Sequence, residues 1–243
     1  MLLLISMVTK MLLGFPFMVV ILGSLMLYMF VHLPGFNMNV LVQQVISGVI
    51  PPALVAVPMF ILAASIITSG QAAKRLINMV RTFVGRIPGG IAVNTSASCT
   101  LFGAVAGSTQ AAVAAIGGTM RPVLLQAGYP SSFSLGLIIN SSDIAFLIPP
   151  SIGIIVYGVV TGTSIGKLFL AGVGPGLLIL ALFSLYSYLY SKKFNIGRAP
   201  KATWQERWSA IKEGSLVMGF PVIIIGGIYG GIFSPTEAAA ASV

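Results

Sequence analysis

Ionic side chains are what this sequence most lacks: Asp, Glu, Lys and Arg make up 7% of its 243 residues, and only 4 of them are acidic. A soluble domain is about 25% charged, because water-facing surface needs ionic cover. So few charges cannot coat a 25.3 kDa globule, which excludes a soluble enzyme, a nucleic-acid binder and a secreted disulfide scaffold. The net charge of +9 does not reinstate nucleic acid, since the basic residues lie between apolar runs, where membrane topology accounts for them. The single cysteine, Cys99, permits no internal disulfide. The single histidine, His32, has no second His or Cys to complete a transition-metal pair. There is no G-x-x-x-x-G-K-[ST] and hence no ATP loop. Ser108 follows Gly107 but sits in no G-x-S-x-G elbow, which leaves an intramembrane hydrolase as a third reading, one that predicts labelling of a serine by a fluorophosphonate. What the chain has instead is 57% apolar residues, 28 Gly and 14 Pro, with a mean hydropathy of +1.02. This is the composition of an all-α polytopic membrane protein whose helices pack closely or break within the bilayer.

Residues 1–30 are apolar with Lys10 in their middle, and neither a preceding basic region nor a cleavage site marks a signal peptide. A span needs about 20 apolar residues, which predicts a helix at 15–33, closed by Pro34-Gly35 and preceded by a partial helix at 1–13. Residues 39–50, with Gln43, Gln44 and Ser47, are too short and polar to span and suit the interface. Pro51-Pro52 opens a second span at 52–69. Residues 71–86 set Lys74, Arg75, Arg81 and Arg86 against Leu76, Ile77, Val80 and Phe83. That is a basic amphipathic helix on the cytoplasmic membrane surface.

From Pro88 to Pro122 the chain carries no charge before Arg121, a stretch long for one span and short for two. At its centre lies Gly103-Ala104-Val105-Ala106-Gly107-Ser108-Thr109-Gln110. Either it is a re-entrant helical hairpin, or it is a single long span packed through small residues. Residues 131–162 are apolar but interrupted at Asn140-Ser141-Ser142-Asp143 and at Pro149-Pro150, so this transmembrane helix is broken near its middle. A returning span covers 165–190 and ends in Tyr186, Tyr188 and Tyr190. The basic segment 191–213 follows as the longest soluble stretch, then a span at 215–233, and Pro235 opens another helix. Started from the cytoplasm, this order puts both basic clusters on one side. The chain stops at Val243 barely into a helix, and reads as the first part of a longer protein.

Asp143 is the one carboxylate inside an apolar run. A charge at membrane depth lines a polar pathway or meets an ion; the alternative is that it caps the following half-helix or sits near the interface. Asn140, Ser141 and Ser142 add hard oxygen donors, which suit an alkali or alkaline-earth cation. Half-helix ends at the Gly103–Gln110 tip attract carboxylates through amides and cations through carbonyls, unless the small residues serve packing alone.

The strings Pro58-Met59-Phe60-Ile61-Leu62-Ala63, Leu101-Phe102-Gly103-Ala104-Val105-Ala106-Gly107-Ser108-Thr109, Leu147-Ile148-Pro149-Pro150-Ser151-Ile152, Ala171-Gly172-Val173-Gly174-Pro175-Gly176 and Gly226-Gly227-Ile228-Tyr229-Gly230-Gly231-Ile232-Phe233-Ser234-Pro235-Thr236-Glu237 resemble the large membrane subunit of tripartite ATP-independent periplasmic (TRAP) transporters, from about residue 13 onward. The sequence departs from the family at Asn140 to Phe146, where small residues and Thr-Leu-Gly commonly precede the double proline. The resemblance implies an elevator-type fold of two inverted repeats in the bacterial inner membrane, of which this chain covers the first.

It further implies Na⁺-coupled import of an organic acid, of C4-dicarboxylate or sialic-acid type, delivered by a periplasmic substrate-binding protein. A small four-helix membrane subunit would be the partner within the lipid. The runner-up is an elevator-type carboxylate or ion transporter that needs no binding protein. Ser108, Thr109, Asn140, Ser141 and Asp143 are the expected Na⁺ ligands. Gly103, Gly107, Ser108, Ser142, Pro149 and Pro150 are expected around the substrate. The expected division is 1–86 scaffold and arm helix, 87–162 hairpin and discontinuous helix, 163–213 returning helix and basic loop, and 214–243 linking helix and start of a second repeat.

Overall fold

A computed structural model describes residues 1–33, 35, 37–68, 70–196 and 202–243. The expected boundary at Pro34, the end of the 52–69 span at Ser69, and Arg198 and Lys201 of the basic segment lie outside the described residues. The described residues are helical throughout, and they fall into two compact units, Met1–Ile50 and Pro51–Val243.

In the first unit α1 (Leu2–Leu12) and α2 (Phe17–His32) pack on each other. Pro16, which donates no backbone hydrogen bond, starts α2. The third helix, α3 (Met38–Val49), is capped by Asn37, whose side chain accepts from the Asn39 N–H at 2.9 Å.

The second unit begins with a 3₁₀ turn at Pro52–Val55 and α4 (Ala56–Thr68). The amphipathic helix is present as α5 (Ala72–Val84). It buries Leu76, Ile77 and Val80 against α6 (Gly90–Ala106), with Lys74, Arg75 and Arg81 off the buried stripe. The uncharged stretch is a helical hairpin. After α6 the chain turns at Gly107-Ser108 and returns through α7 (Thr109–Ala112), a π turn at Val113–Gly117 and α8 (Gly118–Gln126). The single-span alternative is thereby set aside.

The broken helix is equally plain. α9 (Ser131–Ser142) tightens into a 3₁₀ turn at Asp143–Phe146, the chain runs irregularly to Ser151, and α10 (Ile152–Thr161) resumes. The Pro149-Pro150 bond is cis.

Among the described residues, two helices are long and apolar enough to cross a membrane, α11 (Ile165–Phe194, 30 residues) and α12 (Trp204–Tyr229, 26 residues). Both extend into the basic segment 191–213. Lys192 and Lys193 ride on the last turn of α11, and Arg207 and Lys212 on the first turns of α12. Hydropathy marks where lipid-facing residues begin, whereas a helix starts wherever its first amides are satisfied. Here Thr203 Oγ1 accepts from the Glu206 N–H, and the Glu206 carboxylate accepts from the Thr203 N–H at 2.7 Å, a reciprocal cap. The 215–233 span ends at Tyr229 for the converse reason, since Gly231 adopts φ +69° and stops it. Removing the cap with Thr203→Ala should cost about 1 kcal/mol. Amide exchange over 204–208 should then rise about fivefold; unchanged exchange would show that packing alone sets the start of α12.

Ser234 and Glu237 repeat the same cap at α13 (Pro235–Ala241), with Glu237 in its first turn as expected. Two of the three tyrosines that end the 165–190 span, Tyr186 and Tyr190, serve packing. Phe133 of α9 stacks on Tyr190 at 4.4 Å and on Tyr186 at 6.0 Å, and Tyr129 donates to or accepts from Ser191 at 2.6 Å. These rings tie the hairpin's far end and α9 to α11.

Candidate functional site

The two interruptions, one in the hairpin and one in the broken helix, lie against each other. α6 ends because Gly107 takes φ +61°, a conformation glycine adopts without a Cβ penalty; its N–H donates to the Gly103 carbonyl at 2.7 Å. The Gly107 carbonyl in turn accepts from the Ile152 N–H at 3.4 Å, satisfying one of the unpaired amides that open α10. A Cβ on Gly107 would lie 2.8 Å from the Pro150 carbonyl oxygen. One turn earlier, a Cβ on Gly103 would collide with the Ala145 Cβ and sit 2.9 Å from its Cα. From the other side Gly172 of α11 faces the Leu147 carbonyl so closely that a methyl group could not enter. Backbone thus meets backbone at three glycines around one helix break.

Of the expected site residues, Thr109 and Ser142 are buried; the Thr109 hydroxyl has no hydrogen-bond partner, and the Ser142 hydroxyl has none beyond the Cys99 thiol beside it. Thr109 opens the return arm, and α7 packs on both α9 and its 3₁₀ extension. An unpaired buried hydroxyl costs about 1–3 kcal/mol, which leaves the Thr109 oxygen open to a partner. No group of three His, Cys, Asp or Glu able to hold a metal occurs among the described residues. Ser108 is half-buried and donates to the Gln110 side-chain oxygen at 3.0 Å. Ser141 is buried and already committed, donating to Ser96 Oγ at 2.9 Å. Asn140 and Asp143 lie on the exposed side of the break, where Asn140 Nδ2 donates to the Gly136 carbonyl at 2.7 Å. Pro149 and Pro150 are buried beneath the tip. Gly103 is therefore brought against Ala145 and Gly107 against Pro150, Thr109 opens an arm packed on the broken helix, and Asn140 and Asp143 are exposed where Ser141 and Ser142 are buried.

Sequence reasoning passed over a row of polar side chains on α6. Asn94, Thr95, Ser96, Ser98 and Thr100 are all buried. Thr95 and Thr100 donate to the carbonyls four residues back at 2.9 Å, and Ser98 donates to Asn94 Oδ1 at 3.1 Å. The signal was the density of hydroxyls in a stretch noted only for lacking charge.

Comparison with known proteins assigns this arrangement to a family. The sequence model of the tripartite ATP-independent periplasmic transporter, DctM component, matches residues 1–243. The ectoine TRAP transporter large permease protein of Halomonas elongata is 59% identical over 239 residues, covering 98% of this chain and 56% of the relative. The ectoine/5-hydroxyectoine large permease of Ruegeria pomeroyi is 56% identical over the same shares. The C4-dicarboxylate large permease of Rhodobacter capsulatus is 38% identical over 82% of this chain and 48% of its own. The chain spans about half the length of these relatives. A hairpin and a broken helix meeting through glycine, in a chain matched from end to end, make it a member of the DctM-component family of tripartite ATP-independent periplasmic transporters, a membrane permease subunit and not an enzyme.

Proposed function

We propose that the protein takes part in Na⁺-coupled uptake of a small carboxylated solute across the bacterial inner membrane as a multi-pass subunit. In this reading a periplasmic binding protein delivers the solute and a small membrane subunit stands beside this one. The observation that carries the reading is the pair of buried hydroxyls at two abutting helix breaks, Thr109 without a partner and Ser142 with only the Cys99 thiol beside it. Thr109 and Ser142 supply oxygens to Na⁺, with Ser108 at the tip; Ser141 stays bonded to Ser96, and Asn140 and Asp143 lie on the exposed side of the break, outside the first set of ligands. The solute carboxylate approaches the amides at Gly107 and Ser108, over Gly103, Pro149 and Pro150. The close approach of Gly103 to Ala145 and of Gly107 to Pro150 supports hairpin and broken helix moving as one body, as an elevator requires. In the same reading the hairpin is re-entrant, residues 1–86 are scaffold, 87–162 carry the cargo, 163–213 return the chain and 214–243 lead into a second repeat.

For the solute, the higher identity to ectoine permeases than to the C4-dicarboxylate one favours ectoine, a cyclic amino acid with one carboxylate, over C4-dicarboxylates or sialic acids. Uptake of labelled ectoine, succinate and sialic acid into proteoliposomes holding the full-length complex tests this. Ectoine entry is expected only with an inward Na⁺ gradient and the binding protein present. Uptake indifferent to the binding protein would leave the runner-up, a self-sufficient elevator transporter. Uptake indifferent to Na⁺ would remove the ion from the site.

A further inference from the structure

Residues 1–50 contain one charged side chain of any Asp, Glu, Lys or Arg, which is Lys10. Its ammonium is held between two helices. It donates to Ser6 Oγ of α1 at 2.8 Å and to Ser24 Oγ of α2 at 3.1 Å, and Ser6 also donates to Ser24 at 3.1 Å. Ser24 is fully buried, and the ammonium lies against α2 at Gly23, where a Cβ would be in ordinary contact with it at 3.5 Å. The side chain runs back along α1, away from the turn that joins it to α2, and so reaches the middle of α2 instead of an end. That turn is itself apolar and open, with Leu12, Leu13, Phe15 and Phe17 all exposed. An ammonium has three donors; the two serines accept from two of them and bring no negative charge. A lysine within apolar helices ordinarily pairs with an opposite charge or with backbone carbonyls, and residues 1–50 contain no Asp or Glu.

We infer that the Lys10–Ser6–Ser24 cluster is the docking point for a membrane helix of the small partner subunit that carries an Asp or Glu at mid-depth. The inference rests on the proposed assembly with that subunit. Charge complementarity names the occupant: one half-buried cation, on a pair of helices whose outer faces expose Leu4, Val8, Met11 and Ile21, calls for an apolar helix bearing one anion. A phospholipid headgroup is disfavoured by the direction of the side chain, which does not snorkel toward the apolar turn.

The test uses the tagged full-length chain co-expressed with the small subunit, extracted in mild detergent, with the retained subunit quantified. Lys10→Arg should retain it, and Lys10→Met should lose it tenfold or more while unfolding at or above the wild-type temperature, because a buried cation has been removed. Lys10→Glu should lose it as well, and a lysine placed at one acidic position in the small subunit's helices should restore it. Equal retention by wild type and Lys10→Met would overturn the pairing and leave the assembly reading intact. A wild-type chain that retains no small subunit would remove both. Should Lys10→Met shed a bound anionic phospholipid in native mass spectrometry and keep the subunit, the site belongs to lipid and the inference fails.

Discussion

A Gly103→Val chain should insert and accumulate in the membrane but lose transport by at least two orders of magnitude in the full-length complex. The expected effect sets two magnitudes against each other. Glycine inside a helix is about 1 kcal/mol worse than alanine, so on propensity alone any side chain at Gly103 ought to help α6. Against that, the first added carbon would overlap the Ala145 Cβ and press on its Cα at 2.9 Å. Ala145 is fully buried in the 3₁₀ turn and has no rotamer by which to yield. Overpacking costs about 1–3 kcal/mol in a core that can relax, and here relaxation means separating the hairpin tip from the helix break. Two controls isolate the cause. Gly118→Ala, with nothing within 4 Å of the new Cβ, should transport normally. Gly107→Ala should fail like Gly103→Val, since it combines φ +61° with a 2.8 Å approach to the Pro150 oxygen. Normal transport by Gly103→Val would show that hairpin and break need not stay in contact.

The same contacts show what can be read from sequence. Gly103, Gly107 and Pro149-Pro150 announce interruptions because their effect is on the backbone, locally and whatever surrounds them. The hairpin and the broken helix were legible for that reason, as was the basic stripe of α5, whose period is a property of one helix. Faces were harder. Asn140 to Asp143 are consecutive, and successive residues on a helix turn by about 100°, so one burial class could not hold for all four. Ser141 and Ser142 turn inward and Asn140 and Asp143 outward, which only the packing of α6 against α9 decides. Hydropathy weighed Asp143 heavily because it is charged, yet the Thr109 hydroxyl that ends unpaired is neutral. It likewise placed the start of α12 at its apolar part, although Thr203 and Glu206 start the helix earlier.

Thr109→Val and Ser142→Ala should each weaken Na⁺ dependence of uptake, raising the Na⁺ concentration for half-maximal rate at least tenfold, or about 1.4 kcal/mol of ion affinity per site. The two substitutions keep shape or remove a single oxygen, so packing changes little. Their effect on stability separates the ion reading from a structural one. In Na⁺-free buffer the Thr109 hydroxyl is buried without a partner and that of Ser142 has only the weak Cys99 thiol; an unpaired buried hydroxyl costs about 1–3 kcal/mol, so deleting either should raise the unfolding temperature, Thr109 the more. Added Na⁺ should then stabilise the wild type, since a ligand bound only by the folded state shifts the equilibrium by mass action, and should do less for either variant. The expected signature is therefore a crossover: variants more stable without Na⁺ and wild type gaining on them as Na⁺ rises. Ser141→Ala gives the contrast, because its hydroxyl donates to Ser96 at 2.9 Å and its loss should destabilise at every Na⁺ concentration without shifting the Na⁺ midpoint. Parallel stability curves for wild type and Thr109→Val across the Na⁺ range would mean that the hydroxyl does not ligate the ion, and the coupling site would have to be sought elsewhere around the break.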